Sequence, residues 1–129
     1  MNAIEATKVK LKKFPEIHFR IEGDMLIIPA ENENGFDISI TENGSEPTVI
    51  FGNWHGHFDT TEEAVNFVGF GLTPRCRLRE IRRSGVPKKW IVEELDEGKW
   101  EMVYVTGTFS LNFLGKKEEV VFQNNRISS

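Results

Sequence analysis

Residues 36–44 read Phe-Asp-Ile-Ser-Ile-Thr-Glu-Asn-Gly and contain the clearest strand pattern in the chain. Phe36, Ile38 and Ile40 alternate with polar residues, which is the period of a strand that has one buried face. Asn43-Gly44 follows and favours a tight hairpin turn. On both sides of this stretch the chain contains further short segments in which apolar and polar residues alternate, and turn residues separate these segments. The pattern predicts an antiparallel sheet that is built from consecutive hairpins.

Two segments depart from the strand period. Residues 60–72 place apolar side chains at helical spacing, and Thr60 and Glu63 have the spacing of a capping box. A weaker apolar stripe predicts a short N-terminal helix over residues 3–13, which ends before Pro15. We therefore expect an α+β fold in which a curved, mainly antiparallel sheet of about 7–9 short strands packs on the 60–72 helix. A barrel-like closure of the sheet around that helix is the alternative.

Composition limits the class of protein. The chain has 129 residues, 39% of them hydrophobic, which fits one folded domain over residues 1–129 and excludes a disordered chain. The residues 124–129 are predicted to form a frayed tail. A single cysteine excludes an internal disulfide and suits a reducing compartment. The longest aliphatic run, residues 25–28, is too short to span a membrane, and no signal peptide is visible, so a cytoplasmic protein is expected.

The net charge of −4 conceals a strong segregation of charge along the chain. Residues 21–74 contain ten acidic residues and no lysine or arginine, whereas residues 75–89 contain seven basic residues and one acidic residue. An acidic surface of this kind could bind a basic partner. A nucleic-acid partner is disfavoured, because the whole protein is acidic and no nucleic-acid-binding motif occurs.

Three arginines, Arg75, Arg77 and Arg79, alternate along a predicted strand and would share one face of the sheet. They would repel one another unless carboxylates lie opposite, and the acidic segment offers three candidates: Asp37, Glu62 and Glu63. The pattern therefore favours cross-strand ion pairs on a solvated face, with an anion site as the alternative. The alternation fails at Ile81, which predicts a bulge or a frayed strand end near residues 80–82.

Residues 54–59 read Trp-His-Gly-His-Phe-Asp and include two of the three histidines. In an extended chain, His55, His57 and Asp59 project to one side, and two imidazoles at that spacing can bind one divalent metal. Such a site needs a further ligand, which the sequence does not identify. The structural interpretation is favoured: Asp59 complements the N-terminus of the following helix, and Trp54 and Phe58 anchor the core. No cofactor is expected.

The remaining aromatic residues and the cysteine are predicted to serve mainly in packing. The strand over residues 100–106 is apolar on both faces, which predicts a position in the centre of the sheet or under a second layer. Cys76 is predicted to be buried and unreactive. Trp90 follows two lysines and is the aromatic residue that we most expect to contact a partner. The phenylalanines expected in the core are Phe19, Phe36, Phe51, Phe67, Phe109, Phe113 and Phe122.

Two hypotheses of function follow from these patterns. No complete catalytic set is visible, so the first is a non-catalytic protein-binding module of the inhibitor or immunity type that uses segregated charge. Its candidate binding residues are Trp54, His55, His57, Arg75, Arg77, Arg79 and Trp90. The second is a small enzyme or ligand-binding domain with a metal or acid–base site at His55, His57 and Asp59. Unpaired edge strands would also permit a homodimer.

The Trp54–Phe58 segment followed by a capped helix is similar to segments of small α+β proteins of bacteria. The similarity covers only a handful of residues, and it implies no activity.

Overall fold

The computed structural model describes residues 1–42, 44, 46–107 and 117–127. Within these residues the chain forms two helices and two antiparallel sheets, which confirms the predicted α+β fold. Phe109 and Phe113, which are predicted to lie in the core, and Asn43 of the predicted turn lie outside the described residues. In the N-terminal half the elements are α1 (Ala3–Leu11), β1 (Arg20–Glu22), β2 (Met25–Ile28), β3 (Ile38–Thr41), β4 (Thr48–Phe51) and β5 (Trp54–His57). They are followed by α2 (Thr61–Gly71), β6 (Cys76–Arg83), β7 (Val86–Asp96), β8 (Lys99–Gly107) and β9 (Lys117–Phe122).

The first sheet is a meander in which each strand pairs with the next, in the order β1-β2-β3-β4-β5. Its register aligns Met25, Thr41, Thr48 and His57 in one row across four strands. The loops that precede or follow these four residues therefore lie at the same end of the sheet. α2 packs on β3 and β4, and α1 packs on α2.

The second sheet has the order β8-β7-β6-β9. The sequence analysis predicts one curved sheet, whereas the nine described strands divide into a five-stranded and a four-stranded sheet. The physical reason lies in the connection: α2 separates β5 from β6, and β6 takes its partners from β7 and β9 instead. A register shift lies between Ile81 and Arg82, at the predicted position, but the inserted residue is Lys88 of the partner strand β7.

The two sheets and both helices share one hydrophobic core. α2 buries Ala64, Val65 and Val68 in it, together with two glycines. Phe51 and Trp54 of the first sheet and Val92 of the second are almost fully buried in the same cluster. The sheets also meet directly, since the ring centroids of Trp54 and Tyr104 are 5.4 Å apart. This packing places β8 opposite the junction between β5 and α2.

Both helices begin at the residues that the sequence favours as caps. The Thr60 hydroxyl accepts a hydrogen bond from the Glu63 amide at 3.1 Å, and the Asn2 side chain accepts one from the Glu5 amide at 2.9 Å. No helix in the described part of the chain is both long enough and apolar enough to cross a membrane.

Some elements differ from their predictions. Phe19 precedes β1 and is partly exposed. Among the described strands, β8 lies at one edge of the second sheet and not at its centre, although Tyr104 packs against Trp54 of the first sheet; Met102, Val103, Tyr104 and Val105 are exposed. The register shift between Val92 and Glu93 leaves Val103 without an opposite residue, so simple alternation misassigns its face.

The predicted frayed tail is attached to the core over residues 124–127. Asn124 accepts a hydrogen bond from the Phe36 amide at 2.9 Å and donates one to the Gly71 carbonyl at 3.1 Å. The Arg126 amide donates to the Leu72 carbonyl at 2.7 Å. These contacts are made with residues distant in sequence, so local composition could not predict them.

Candidate functional site

The Trp-His-Gly-His-Phe-Asp segment forms β5 and the turn into α2. Trp54 is 1% exposed, and its ring centroid lies 5.5 Å from that of Phe51 and 5.5 Å from that of Phe67. Gly56 makes room for this ring, because a Cβ at residue 56 would lie 2.6 Å from Trp54 Cη2. Trp54 is therefore a core residue and is not accessible to a partner.

His55 and His57 are exposed side by side on β5, with ring centroids 5.7 Å apart. His57 Nδ1 forms a hydrogen bond with the Thr48 hydroxyl at 2.9 Å. Across residues 1–42, 44, 46–107 and 117–127, no group of three or more His, Cys, Asp or Glu residues could hold a metal ion. Asp59 is exposed beyond the end of β5. Within the described residues, His55, His57 and Asp59 therefore do not converge as a three-ligand set.

Two of the three arginines share a single carboxylate. Arg77 Nε donates to Glu93 Oε1 at 2.6 Å, and Arg79 Nη1 donates to Glu93 Oε2 at 3.1 Å. Arg79 also pairs with Glu119 on β9, and the Arg77 guanidinium stacks over the Trp100 ring at 4.3 Å from its centroid. The Glu93 side chain is only 7% exposed, so the arginines neutralise a nearly buried charge.

Arg75 is separated from the other two arginines. It precedes β6, and its Nη2 donates to Glu94 Oε2 at 2.9 Å. Because Glu93 and Glu94 are consecutive strand residues, they point to opposite faces of the sheet. The expectation that Arg75, Arg77 and Arg79 lie on one face therefore does not hold for Arg75.

The carboxylates that pair with these arginines come from β7 and β9, not from the acidic segment 21–74. Asp37 instead accepts a hydrogen bond from the Ala30 amide at 2.7 Å. The sequence contains only part of the signal for the actual pairing: a hairpin that turns at Ser84-Gly85 places Arg77 opposite Val92, and the one-residue register shift beyond Arg82 moves its partner to Glu93. The expected cross-strand ion pairs are thus present, with different acidic partners.

Trp90 and Cys76 lie within the second sheet. Trp90 packs partly buried against the core, and its Nε1 donates to Glu80 Oε1 at 2.8 Å. Cys76 is buried, and desolvation together with the charge of Glu94 raises the pKa of its thiol. A thiol that does not ionise is a poor nucleophile, as the sequence analysis expects for this residue.

Six carboxylates lie at one end of the first sheet, and we call this surface the acidic end. Asp24, Glu42 and Glu46 adjoin the row that runs from Met25 to His57, and the other three follow at the start of α2. The Glu42 side chain accepts a hydrogen bond from the Thr61 hydroxyl at 2.7 Å, which ties the β3–β4 connection to α2. None of the ion pairs between described residues involves these carboxylates. The acidic end consists of Asp24, Glu42, Glu46, Asp59, Glu62 and Glu63.

A cleft of about 490 Å³ opens between α2 and β8, and we call it the α2–β8 cleft. Phe58, Phe67, Phe70 and Tyr104 provide its aromatic lining. Its polar groups are Glu63, Asn66, Arg75 and Glu94. No local sequence pattern indicates this cleft, because its walls come from α2 and β8, which are separated by the strands β6 and β7.

Comparisons with known proteins give no relative for this chain: no family, no curated protein and no solved structure matches it.

Proposed function

We propose that the protein is a non-catalytic binding module that recognises a basic protein through the acidic end, in the manner of an inhibitor or immunity protein. The proposal rests on a difference between the acidic segment 21–74 and the basic segment 75–89 in how their charges are paired. Four arginines at or near β6 are paired with glutamates of the second sheet, namely Arg75, Arg77, Arg79 and Arg82, whereas the carboxylates of the acidic end take no part in the described ion pairs.

The position of these carboxylates supports a role in association. They belong to loops and to the first turn of α2, and the first sheet holds those elements at one end. A surface of one sign attracts a partner of the opposite sign and raises the association rate, by about 10-fold to 1,000-fold at low ionic strength. A basic protein is therefore the partner that this surface favours.

The test compares the wild type with two triple variants of equal charge. The first variant, Asp24→Asn with Glu46→Gln and Glu62→Gln, neutralises three exposed carboxylates of the acidic end. The control variant carries Glu16→Gln, Glu33→Gln and Glu118→Gln, which neutralise three exposed glutamates elsewhere. Each protein is immobilised and used to capture proteins from an extract of the cells that produce it, at low and at high salt.

We expect the wild type and the control to capture one basic protein, identified by mass spectrometry, at low salt and to release it at high salt. With that partner purified, the association rate of the acidic-end variant should fall at least about tenfold at low salt. The proposal fails if the wild type captures no basic protein, or if both triple variants bind the captured partner equally fast.

A further inference from the structure

The α2–β8 cleft adjoins the acidic end through Glu63, which belongs to both. Glu62, the preceding residue of α2, is exposed and does not line the cleft. A partner held at the acidic end would therefore present its own side chains next to this cleft. The inference below rests on the proposed function, because it assigns the side chain that enters there.

The wall of the cleft exposes an aromatic ring. Phe58 and Phe67 pack against each other with ring centroids 5.1 Å apart, and Tyr104 meets Phe67 edge to face at 5.4 Å and 85°. Tyr104 nevertheless remains 42% exposed, and Val103 beside it is 39% exposed. Aromatic faces attract cations, and the planar guanidinium stacks on them better than an ammonium group does.

The ionisable groups of the cleft also favour a cation. Arg75 and Glu94 neutralise each other in an ion pair of 2.9 Å, which leaves the Glu63 carboxylate as the net charge among the ionisable side chains of the lining. An anion would meet this carboxylate and could reach Arg75 only in competition with Glu94. A guanidinium can donate two hydrogen bonds to one carboxylate while its aliphatic stem packs on apolar rings.

We propose that the α2–β8 cleft binds an arginine side chain of the basic partner, with the guanidinium paired to Glu63 and stacked on Tyr104. The same chain already contains a contact of this kind, since Arg77 stacks over Trp100 at 4.3 Å while it pairs with Glu93. The volume of about 490 Å³ falls within the usual range of binding clefts, about 300–1,000 Å³. A buried arginine is a frequent anchor of protein interfaces.

The probe is Nα-acetylarginine methylamide, titrated into the ¹⁵N-labelled protein and followed by its amide chemical shifts. We expect weak saturable binding, on the order of millimolar, with shifts concentrated at the residues that line the cleft. Glu63→Gln should weaken the binding at least about fivefold, and Glu62→Gln, the matched control, should change it less than twofold. Tyr104→Leu keeps an apolar side chain but removes the ring, and it should also weaken binding. The citrulline analogue, which has the same shape without the charge, should bind at least about fivefold more weakly.

Three results would overturn this assignment: no saturable shifts at the cleft, equal effects of Glu63→Gln and Glu62→Gln, or equal binding of the arginine and citrulline probes. These results are separate from the test of the proposed function. Capture of a basic partner that depends on Asp24, Glu46 and Glu62 would support the acidic end even if the arginine probe does not bind. Binding of the probe in the cleft without any captured basic protein would contradict the proposed function and retain the cleft as a guanidinium site.

Discussion

Two glycines of α2 offer a sharp test of the core packing, because the same substitution should have opposite effects at the two positions. A Cβ at Gly71 would lie 2.5 Å from Phe51 Cζ and 3.1 Å from Ile38 Cδ1. A Cβ at Gly69 would lie 2.5 Å from Lys10 Cε. Ordinary contacts of this kind are about 3.4–4 Å, so in each case the neighbouring side chain must move.

The cost of that movement differs between the two sites. Phe51 is fully buried, and its ring is enclosed by Phe36 at 5.0 Å and Phe67 at 4.8 Å between centroids. Overpacking of such a site costs about 1–3 kcal/mol, which exceeds the gain of about 0.5–1 kcal/mol from replacing glycine by alanine in a helix. Lys10 meets the new Cβ with the end of a flexible side chain that can rotate into solvent, so at Gly69 the gain should remain.

We therefore expect Gly69→Ala to stabilise the protein by about 0.5 kcal/mol and Gly71→Ala to destabilise it by about 1–2 kcal/mol. The measurement is urea denaturation followed by tryptophan fluorescence, which reports on buried Trp54, with the two variants as controls for each other. If Gly71→Ala proves as stable as Gly69→Ala, the packing of α2 against Phe51 described above is wrong.

Two further predictions concern the second sheet. Glu93→Gln should destabilise the protein by about 2 kcal/mol in urea denaturation, because it leaves Arg77 and Arg79 without their shared carboxylate. Glu94→Gln removes only the half-exposed ion pair with Arg75, and it should cost less than about 1 kcal/mol. Equal costs would contradict the burial assigned to Glu93. The buried Cys76 thiol should react with a disulfide reagent only after the protein unfolds. Burial raises the pKa of this thiol, so above about pH 9 the thiol ionises in the unfolded state but not in the folded state. The free energy of unfolding should therefore fall by about 1.4 kcal/mol per pH unit in that range. A Cys76→Ala variant should lack that part of the alkaline loss, and an identical pH dependence in both proteins would refute the assignment.

Much of the local structure could be predicted from patterns of neighbouring residues. The alternation of apolar and polar residues predicted the strand that the structure contains as β3, over residues 38–41. The spacing of Thr60 and Glu63 predicted the start of α2. The break in alternation at Ile81 coincides with the register shift between β6 and β7, whose inserted residue is Lys88 of β7. Each of these features depends on side chains within a few residues of one another, and the sequence contains that information directly.

The pairing of charges was only partly predictable. Alternation indicated that the arginines of residues 75–79 would need carboxylates opposite them, and Glu93, Glu94 and Glu119 provide these. The choice among the available acids depended on the register of the β6–β7 hairpin and on the pairing of β6 with β9. The turn at Ser84-Gly85 alone would place Arg77 opposite Val92, so even the β6–β7 register also required the insertion of Lys88 in β7.

The candidate cleft and the attachment of the C-terminal residues depended on tertiary structure alone. The α2–β8 cleft needs Glu63 and Tyr104 to meet across the boundary between the two sheets. Asn124 reaches Phe36 and Gly71, which no local pattern brings near it.

The sequence by itself thus determined the α+β class, the helix boundaries to within a few residues, and the segregation of acidic from basic residues. Tertiary structure decided that the described strands divide into two sheets, that four arginines of the basic segment are paired internally, and that six of the acidic residues gather at one end of the first sheet. The physical reason is the separation along the sequence between the residues that interact. Periodicity and capping arise between residues close in sequence, whereas ion pairs, sheet edges and clefts arise between residues that only folding brings together.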